Sequence, residues 1–521
     1  NFIAVDYLVY THEVLGNIRE SYPVFLILAV LVLLSTVILF SFRKLVRLSI
    51  SSDLPFLNRL MVLIVFTGLA AFGLLTVKPA LRHFSQDEYA NSLAGNGIYE
   101  FAVAYQQNEL DFTKYYTTMP DAEAFSILRQ DLQAPNVKFL TGDSFSIERD
   151  ISFHEPERDL NVVMISVESL SAEYMAAFGN TNNITPSLDS LIPNSLLFTR
   201  LYASGNRTVR GLEALALAIP PTPGQSTVKR PGNGNLFSLG TVLHKRGYNT
   251  QYIYGGDSYF DNMKTFFSGN GYNVVDRKSI PDSSVHYQNI WGVADEDLFD
   301  LALREFDEDA ALHHPFFAQV MTVSNHRPYT YPEGRIDISP KTKTRYGAVK
   351  YTDYAIGRFL QMASKRKWFS NTIFIIVSDH CAGSAGSVEL PVTGYHIPMI
   401  MYAPGIIKPG KYTELASQVD IAPTILGLLR MNYRSKFFGQ DLFHMDPAKH
   451  KAFIATYQGL GYLNDTSLII QSPIKKITQF HPDFFTGRAT AIKVDSITAK
   501  KAIAYYQCAN WLLKNKKQNA K

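Results

Sequence analysis

Four residues of this chain have the right chemistry to hold a divalent cation against a hydroxyl: Glu168, Thr208 and the adjacent Asp379 and His380. Two carboxylates, a hydroxyl and an imidazole form an O,O,O,N donor set suited to manganese or zinc. A threonine hydroxyl is a poor nucleophile near neutral pH. A neighbouring cation favours its deprotonated form, and attack through it divides a group transfer into two displacements with a covalent intermediate. Thr208 stands in "SGNRTVRGLEALALAIP", where a polar run meets helical apolar spacing at Leu212, Leu215 and Ile219. A helix N-terminus turns backbone N–H groups toward an anion, which suits a phosphoryl group. The plain alternative is that Thr208 is an N-cap, its hydroxyl accepting a backbone N–H. Arg207 and Arg210 flank it and either add positive charge to the site or face solvent.

These residues need a scaffold, and the surrounding pattern predicts one. "LNVVMISVES", "TQYIYG", "PFFAQVMTVS", "NTIFIIVSDH" and "HIPMIMYAP" are short apolar, β-branched runs. They read as buried strands and alternate with helical segments, which predicts an α/β domain with a mostly parallel central sheet flanked by helices. Ligands of such sheets bind at the carboxyl ends of the strands. Glu168, Ser324-Asn325-His326 and Asp379-His380 all fall there. His396 opens the last run and is either a contact for the leaving group or a structural histidine. Trp291, Asp295 and Asp297 read as a helix start with an acidic first turn rather than a second metal site. Cys381 follows His380 directly and so points away from it. With Cys508 it makes two cysteines, too few for a disulfide framework, and both are expected to be free thiols.

The first part of the chain is different in kind. Residues 23–42 and 60–77 are uninterrupted apolar windows without a charge, long enough to cross a bilayer. Between them lie Arg43, Lys44, Arg47 and Arg59 against one acid, Asp53, which predicts a cytoplasmic loop and an extracytoplasmic remainder. The expected organisation is a membrane region over 1–78, a helical extracytoplasmic connector over 79–158 and a catalytic α/β domain over 159–521, less regular from about 446. The chain begins with Asn, so an upstream part with further spans is expected. The net charge of +4 over 521 residues, with no basic run beyond a solvated tail, argues against a nucleic-acid partner.

"VVMISVESLSAEYM", "SGNRTVRGLEA", "SNHRPY", "VSDH" and "SQVDIAPTILGLL" together resemble the lipoteichoic-acid-synthase-like phosphoglycerol transferases of the alkaline phosphatase/sulfatase superfamily. The resemblance covers about residues 158–445 and is nearer to Gram-negative members. It implies a multi-pass inner-membrane enzyme with a periplasmic catalytic domain and one divalent metal, manganese first and zinc or magnesium next. Glu168, Thr208, Asp379 and His380 would hold that metal, and Thr208 would carry the phosphoglycerol. The donor would be phosphatidylglycerol, and the acceptor an extracytoplasmic glycan or glycolipid. His326 would lie beside the substrate. Gram-positive members carry His-Gly-Asp followed by Phe-Trp-Asn-Arg, whereas this chain has "YGGDSYFDNMKTFF", in which Asp257 is retained as a headgroup contact. No Cys/Ser-x-Pro-x-Arg motif surrounds position 208, which argues against a formylglycine sulfatase. Phosphoethanolamine transfer and phosphodiester hydrolysis are the alternatives of the same chemistry, and a lipid-binding sensor is the non-enzymatic one.

Overall fold

The computed structural model describes residues 10–50, 55–78, 81, 84, 85, 87–106, 110–140 and 142–520. The chain divides into two compact units, residues 3–105 and 106–521. In the first, α1 (Val24–Ile50) and α2 (Phe56–Thr76) coincide with the two apolar windows. Their segments Val24–Lys44 and Phe56–Gly73 are long and apolar enough to cross a membrane, and no part of either is buried. A soluble helical hairpin would cover those side chains. Asp53 and the expected boundary just after residue 78 lie outside the described residues.

The second unit is built on a nine-stranded sheet. In chain order its strands are β1 (Asn161–Val167), β2 (Leu196–Tyr202), β3 (Asn249–Tyr254), β4 (Asn273–Val275), β5 (Phe316–Met321), β6 (Thr372–Ser378), β7 (His396–Tyr402), β8 (Gly410–Tyr412) and β9 (Ala416–Ser417). The spatial order is β8–β2–β7–β6–β1–β5–β3–β4, with β9 also paired to β2. From β6 to β4 every pairing is parallel, whereas β7 runs antiparallel to both β6 and β2. All residues of β1 and β6 are buried, as expected of central strands covered on both faces.

Helices cover the two faces. On one, α3 (Thr208–Leu217) packs on the sheet; on the other lie α4 (Asp295–Ala311) and α5 (Arg345–Ala363); α6 (Ile421–Leu428) joins the α3 side. The alternation along β1 sorts its side chains accordingly, Val162 and Met164 to the first core, Val163 and Ile165 to the second. Of the stretch expected as a helical connector, residues 88–94, 97–106, 112–115 and 121–131 are helical. Residues 137–139 and 149–151 instead form short strands, paired in a small sheet with Tyr433–Ser435. Beyond the central sheet, β10 (Ala452–Ala455), β11 (Leu460–Leu463), β12 (Leu468–Ser472), β13 (Lys476–Pro482) and β14 (Ala489–Ile492) form a separate antiparallel sheet in sequential order, and α7 (Ser496–Lys514) follows it.

Candidate active site

Strand register brings the first two acids together. The parallel ladder of β1 and β6 ends at Val167 opposite Ser378, so the next residues, Glu168 and Asp379, leave the sheet side by side. Ser169 then turns the chain with φ of 52°, a left-handed conformation that is costly for a serine. The turn is held from inside the site: Ser169 N donates to Asp379 Oδ1 (2.8 Å) and Ser169 Oγ donates to Glu168 Oε1 (2.6 Å). Asn325 supports it from beneath, Nδ2 donating to the Glu168 carbonyl (2.9 Å).

Thr208 arrives from the other direction. Arg207, with extended backbone angles, is the N-cap of α3, so Thr208 is the first helical residue and not the cap. Its Oγ1 donates to Glu168 Oε2 (3.1 Å) instead of accepting a backbone N–H. One turn further, Gly211 lies against the end of β6. A Cβ there would stand 2.2 Å from the Asp379 carbonyl oxygen, so only glycine lets α3 approach closely enough to put Thr208 on Glu168. Gln418 ties the same pieces together: its Oε1 accepts from Ser204 N (2.8 Å), and its Nε2 donates to the Ser378 (2.9 Å) and Asp379 (2.8 Å) carbonyls.

Glu168, Asp379 and His380 are buried, and one ligand atom of each lies within 4.8 Å of the others. The imidazole Nδ1–H of His380 donates to the Cys381 carbonyl (2.6 Å), which leaves Nε2 facing Glu168 Oε1 (3.5 Å) and Asp379 Oδ2 (3.6 Å). His326 reaches Glu168 Oε2 with its Nε2 (3.3 Å) and keeps an exposed edge. Its ring stacks on Trp291, centroids 4.6 Å apart. Burial works to raise the Glu168 pKa, but His326 and His380 outweigh it and hold the carboxyl well below its usual range. Burial and then repulsion from Glu168 push Asp379 up to about 7. For His380 burial pulls downward, and the two carboxylates outweigh it to raise the ring to about 9.

A cation fits this set. Asp379 Oδ2 is buried and has no hydrogen-bond partner among the described residues. An unpaired buried carboxylate oxygen beside a second carboxylate is costly unless positive charge sits there. The donor set of two carboxylates, an imidazole and a hydroxyl suits a divalent ion.

Of the expected site residues, Glu168, Thr208, Asp379, His380 and His326 come together. Asp257 does not. It lies in an exposed turn, accepting from Tyr259 N (3.0 Å) and pairing with Lys278 Nζ (2.9 Å), and nothing among the described residues bonds it to the cluster. His396 is also spoken for. Because β7 is antiparallel, its start does lie at the sheet edge where β6 ends, but the His396 Nε2–H donates to the Thr199 carbonyl (2.8 Å) and the ring stacks on Tyr202. Arg210 is buried on Glu213 (2.8 Å) and the Thr222 carbonyl (2.7 Å), a structural strut, while Arg207 is exposed. Asp295 is a strut as well, accepting from Val323 N (2.8 Å) and Ser324 N (3.1 Å) to hold the loop that carries His326. Both cysteines are buried free thiols.

Residues 160–431 match the sulfatase family. The chain is 27% identical over 310 residues to phosphoglycerol transferase I of Xanthomonas campestris, across 55% of this chain and 43% of that protein. It is 28% identical over 247 residues to phosphoglycerol transferase I of Escherichia coli O127:H6, across 44% and 32% of the two lengths. The chain therefore matches less than half the length of these relatives. A crystal structure of an alkaline phosphatase superfamily protein from Vibrio parahaemolyticus superposes with a TM-score of 0.74 and 33% identity over 79% of this chain and 100% of that one. The lipoteichoic acid synthase of Listeria monocytogenes shares the fold, with a TM-score of 0.61 and 19% identity over 76% of this chain and 98% of its own.

Proposed function

The chain belongs to the sulfatase family, and on that premise we propose that it is a membrane-anchored phosphotransferase that uses Thr208 to move phosphoglycerol from phosphatidylglycerol to an extracytoplasmic glycan or glycolipid. The observation that carries this reading is the Thr208 Oγ1–H donated to Glu168 Oε2 (3.1 Å) at the rim of a buried carboxylate–imidazole cluster. The names of the two transferase relatives support the phosphoglycerol headgroup.

The proposed chemistry runs in two displacements. Thr208 Oγ bonds to the phosphorus of the donor diester, and the bond from phosphorus to the diacylglycerol oxygen breaks. That oxygen leaves as the diacylglycerol hydroxyl, taking up the proton that Thr208 Oγ gives up. An acceptor hydroxyl then bonds to the same phosphorus, loses its proton and returns Oγ to Thr208. When bound, a divalent cation, manganese first, would supply Lewis-acid stabilisation of the charge that develops on the threonine and phosphoryl oxygens. Glu168 orients the Thr208 proton. His326, partly exposed beside Glu168, is the group to donate to a phosphoryl oxygen. The N-terminus of α3 adds backbone N–H groups at the same place.

Two apolar helices support anchoring of the catalytic unit beside its lipid donor, and the positive loop between them supports a periplasmic orientation at the inner membrane. Asp257 pairs with Lys278 in an exposed turn, and by itself it does not choose between a glycerol and an ammonium headgroup. The test is mass analysis of the protein after incubation with phosphatidylglycerol and Mn2+. The Thr208 peptide should gain the mass of glycerol phosphate, and Thr208→Ala should gain nothing. A phosphoethanolamine mass on that peptide would replace the headgroup assignment, and an unmodified peptide during turnover would refute the covalent route.

A further inference from the structure

β14 is the outermost strand of the C-terminal sheet and, among the described residues, pairs only with β13. Around this open edge stand large apolar side chains in water: Phe485 is 96% exposed and Ile497 69%, with Ile492 and Val494 exposed between them. Elsewhere among the described residues of 106–521 such side chains are isolated in sequence: Tyr259, Leu312, Tyr346, Phe443 and Ile474. Arg488 and Lys493 bracket the strand and are both exposed. The acids of the stretch are engaged locally. Asp483 accepts from Phe485 N (2.9 Å) and Thr486 Oγ1 (2.6 Å), and Asp495 caps α7 by accepting from Thr498 N (2.8 Å) and Oγ1 (2.7 Å).

Basic residues on an edge strand ordinarily keep it from pairing with other chains. That accounts for Arg488 and Lys493 but not for an exposed phenylalanine and three exposed aliphatic residues within thirteen positions. A second copy is disfavoured by charge. Antiparallel pairing across β14 would set Arg488 of one copy against Lys493 of the other, and like charges directly opposite are destabilising. Apolar side chains interleaved with exposed cations match the other surface that offers both hydrocarbon and negative charge.

We infer that the edge from Phe485 to Ile497 is a docking surface for an anionic lipid bilayer. It would seat the catalytic unit on the membrane that holds its donor, and so it rests on the membrane-anchored reading above.

The experiment uses the full chain in phosphatidylcholine vesicles containing phosphatidylglycerol. Ile492→Cys is labelled with an environment-sensitive fluorophore, and Leu312→Cys serves as the exposed control; Cys381 and Cys508 are buried and do not compete for label. Brominated acyl chains should quench the probe at 492 and leave the one at 312 unchanged. Arg488→Glu with Lys493→Glu should cut the quenching at 492 by about twofold or more, and so should omission of phosphatidylglycerol. An unquenched probe at 492 in protein that floats with the vesicles overturns the docking surface. So does crosslinking between copies at 492 without lipid, which would assign the edge to a second copy. Turnover of phosphatidylglycerol is followed in the same vesicles. Turnover without quenching refutes docking alone, quenching without turnover refutes the transferase reading alone, and a chain that stays in the aqueous phase refutes both.

Discussion

At Asp379 the conflict between folding and function is sharpest. Its carboxylate is fully buried, one oxygen has no hydrogen-bond partner among the described residues, and burial with Glu168 nearby pushes its pKa up to about 7. A cation relieves that cost, so the site is expected to be stabilised by its metal as a ligand stabilises any native state. Asp379→Ala removes a donor and should weaken Mn2+ binding on the order of 100-fold or more, as well as abolish turnover. Equilibrium dialysis with Mn2+ reads the first and release of diacylglycerol the second. Unchanged Mn2+ affinity in this variant would move the metal elsewhere. Thr208 differs from its neighbours in carrying no structural load as a cap, which leaves its hydroxyl to Glu168 alone.

Among the elements, α3 and the end of β6 decide whether Thr208 reaches the cluster. Their contact runs through Gly211, where a methyl group has no room beside the Asp379 carbonyl. Gly211→Ala should destabilise the fold by about 1–3 kcal/mol and lower turnover further than stability alone explains, because the helix must move away from Glu168. Thermal denaturation set beside turnover separates the two effects, and a variant with wild-type rate would show that α3 has slack. A second joint lies on the far face. Asp353 of α5 accepts from Ser187 N and Leu188 N (2.8 Å each), and burial pushes its pKa up to about 6. A carboxyl whose folded pKa lies above its unfolded value stabilises most below pH 4, and that contribution fades as pH rises through about 6. The amount is about 1–3 kcal/mol. Chemical denaturation from pH 4 to 7 should therefore slope less in Asp353→Asn than in wild type. Parallel slopes would mean that Asp353 ionises as it does in the unfolded chain.

For the whole molecule the question is which side of the membrane the catalytic unit occupies. The four basic residues between the apolar windows predict that loop inside and everything after α2 outside. A reporter inserted between the two helices should behave as cytoplasmic, and one fused after Ser85 as extracytoplasmic. The reverse result would separate the site from any extracytoplasmic acceptor and end the proposed function.

What the sequence determined by itself was whatever depends on neighbours along the chain. The β-branched runs became β1, β3, β5, β6 and β7, and the two charge-free windows became helices, because burial and periodicity are written locally. Donor types at strand ends singled out Glu168, Asp379, His380 and His326, since a parallel sheet sends its strand ends to one edge. Only the tertiary structure decided what depends on register and reach. The pairing of Val167 with Ser378 set the two acids side by side, and Gly211 and Gln418, which carry no chemical signature in sequence, closed α3 onto them. The same long-range contacts gave two candidates partners away from the cluster. Asp257 found Lys278, and His396, at the head of an antiparallel strand, found the Thr199 carbonyl, because a polar side chain takes the partner its fold brings nearest.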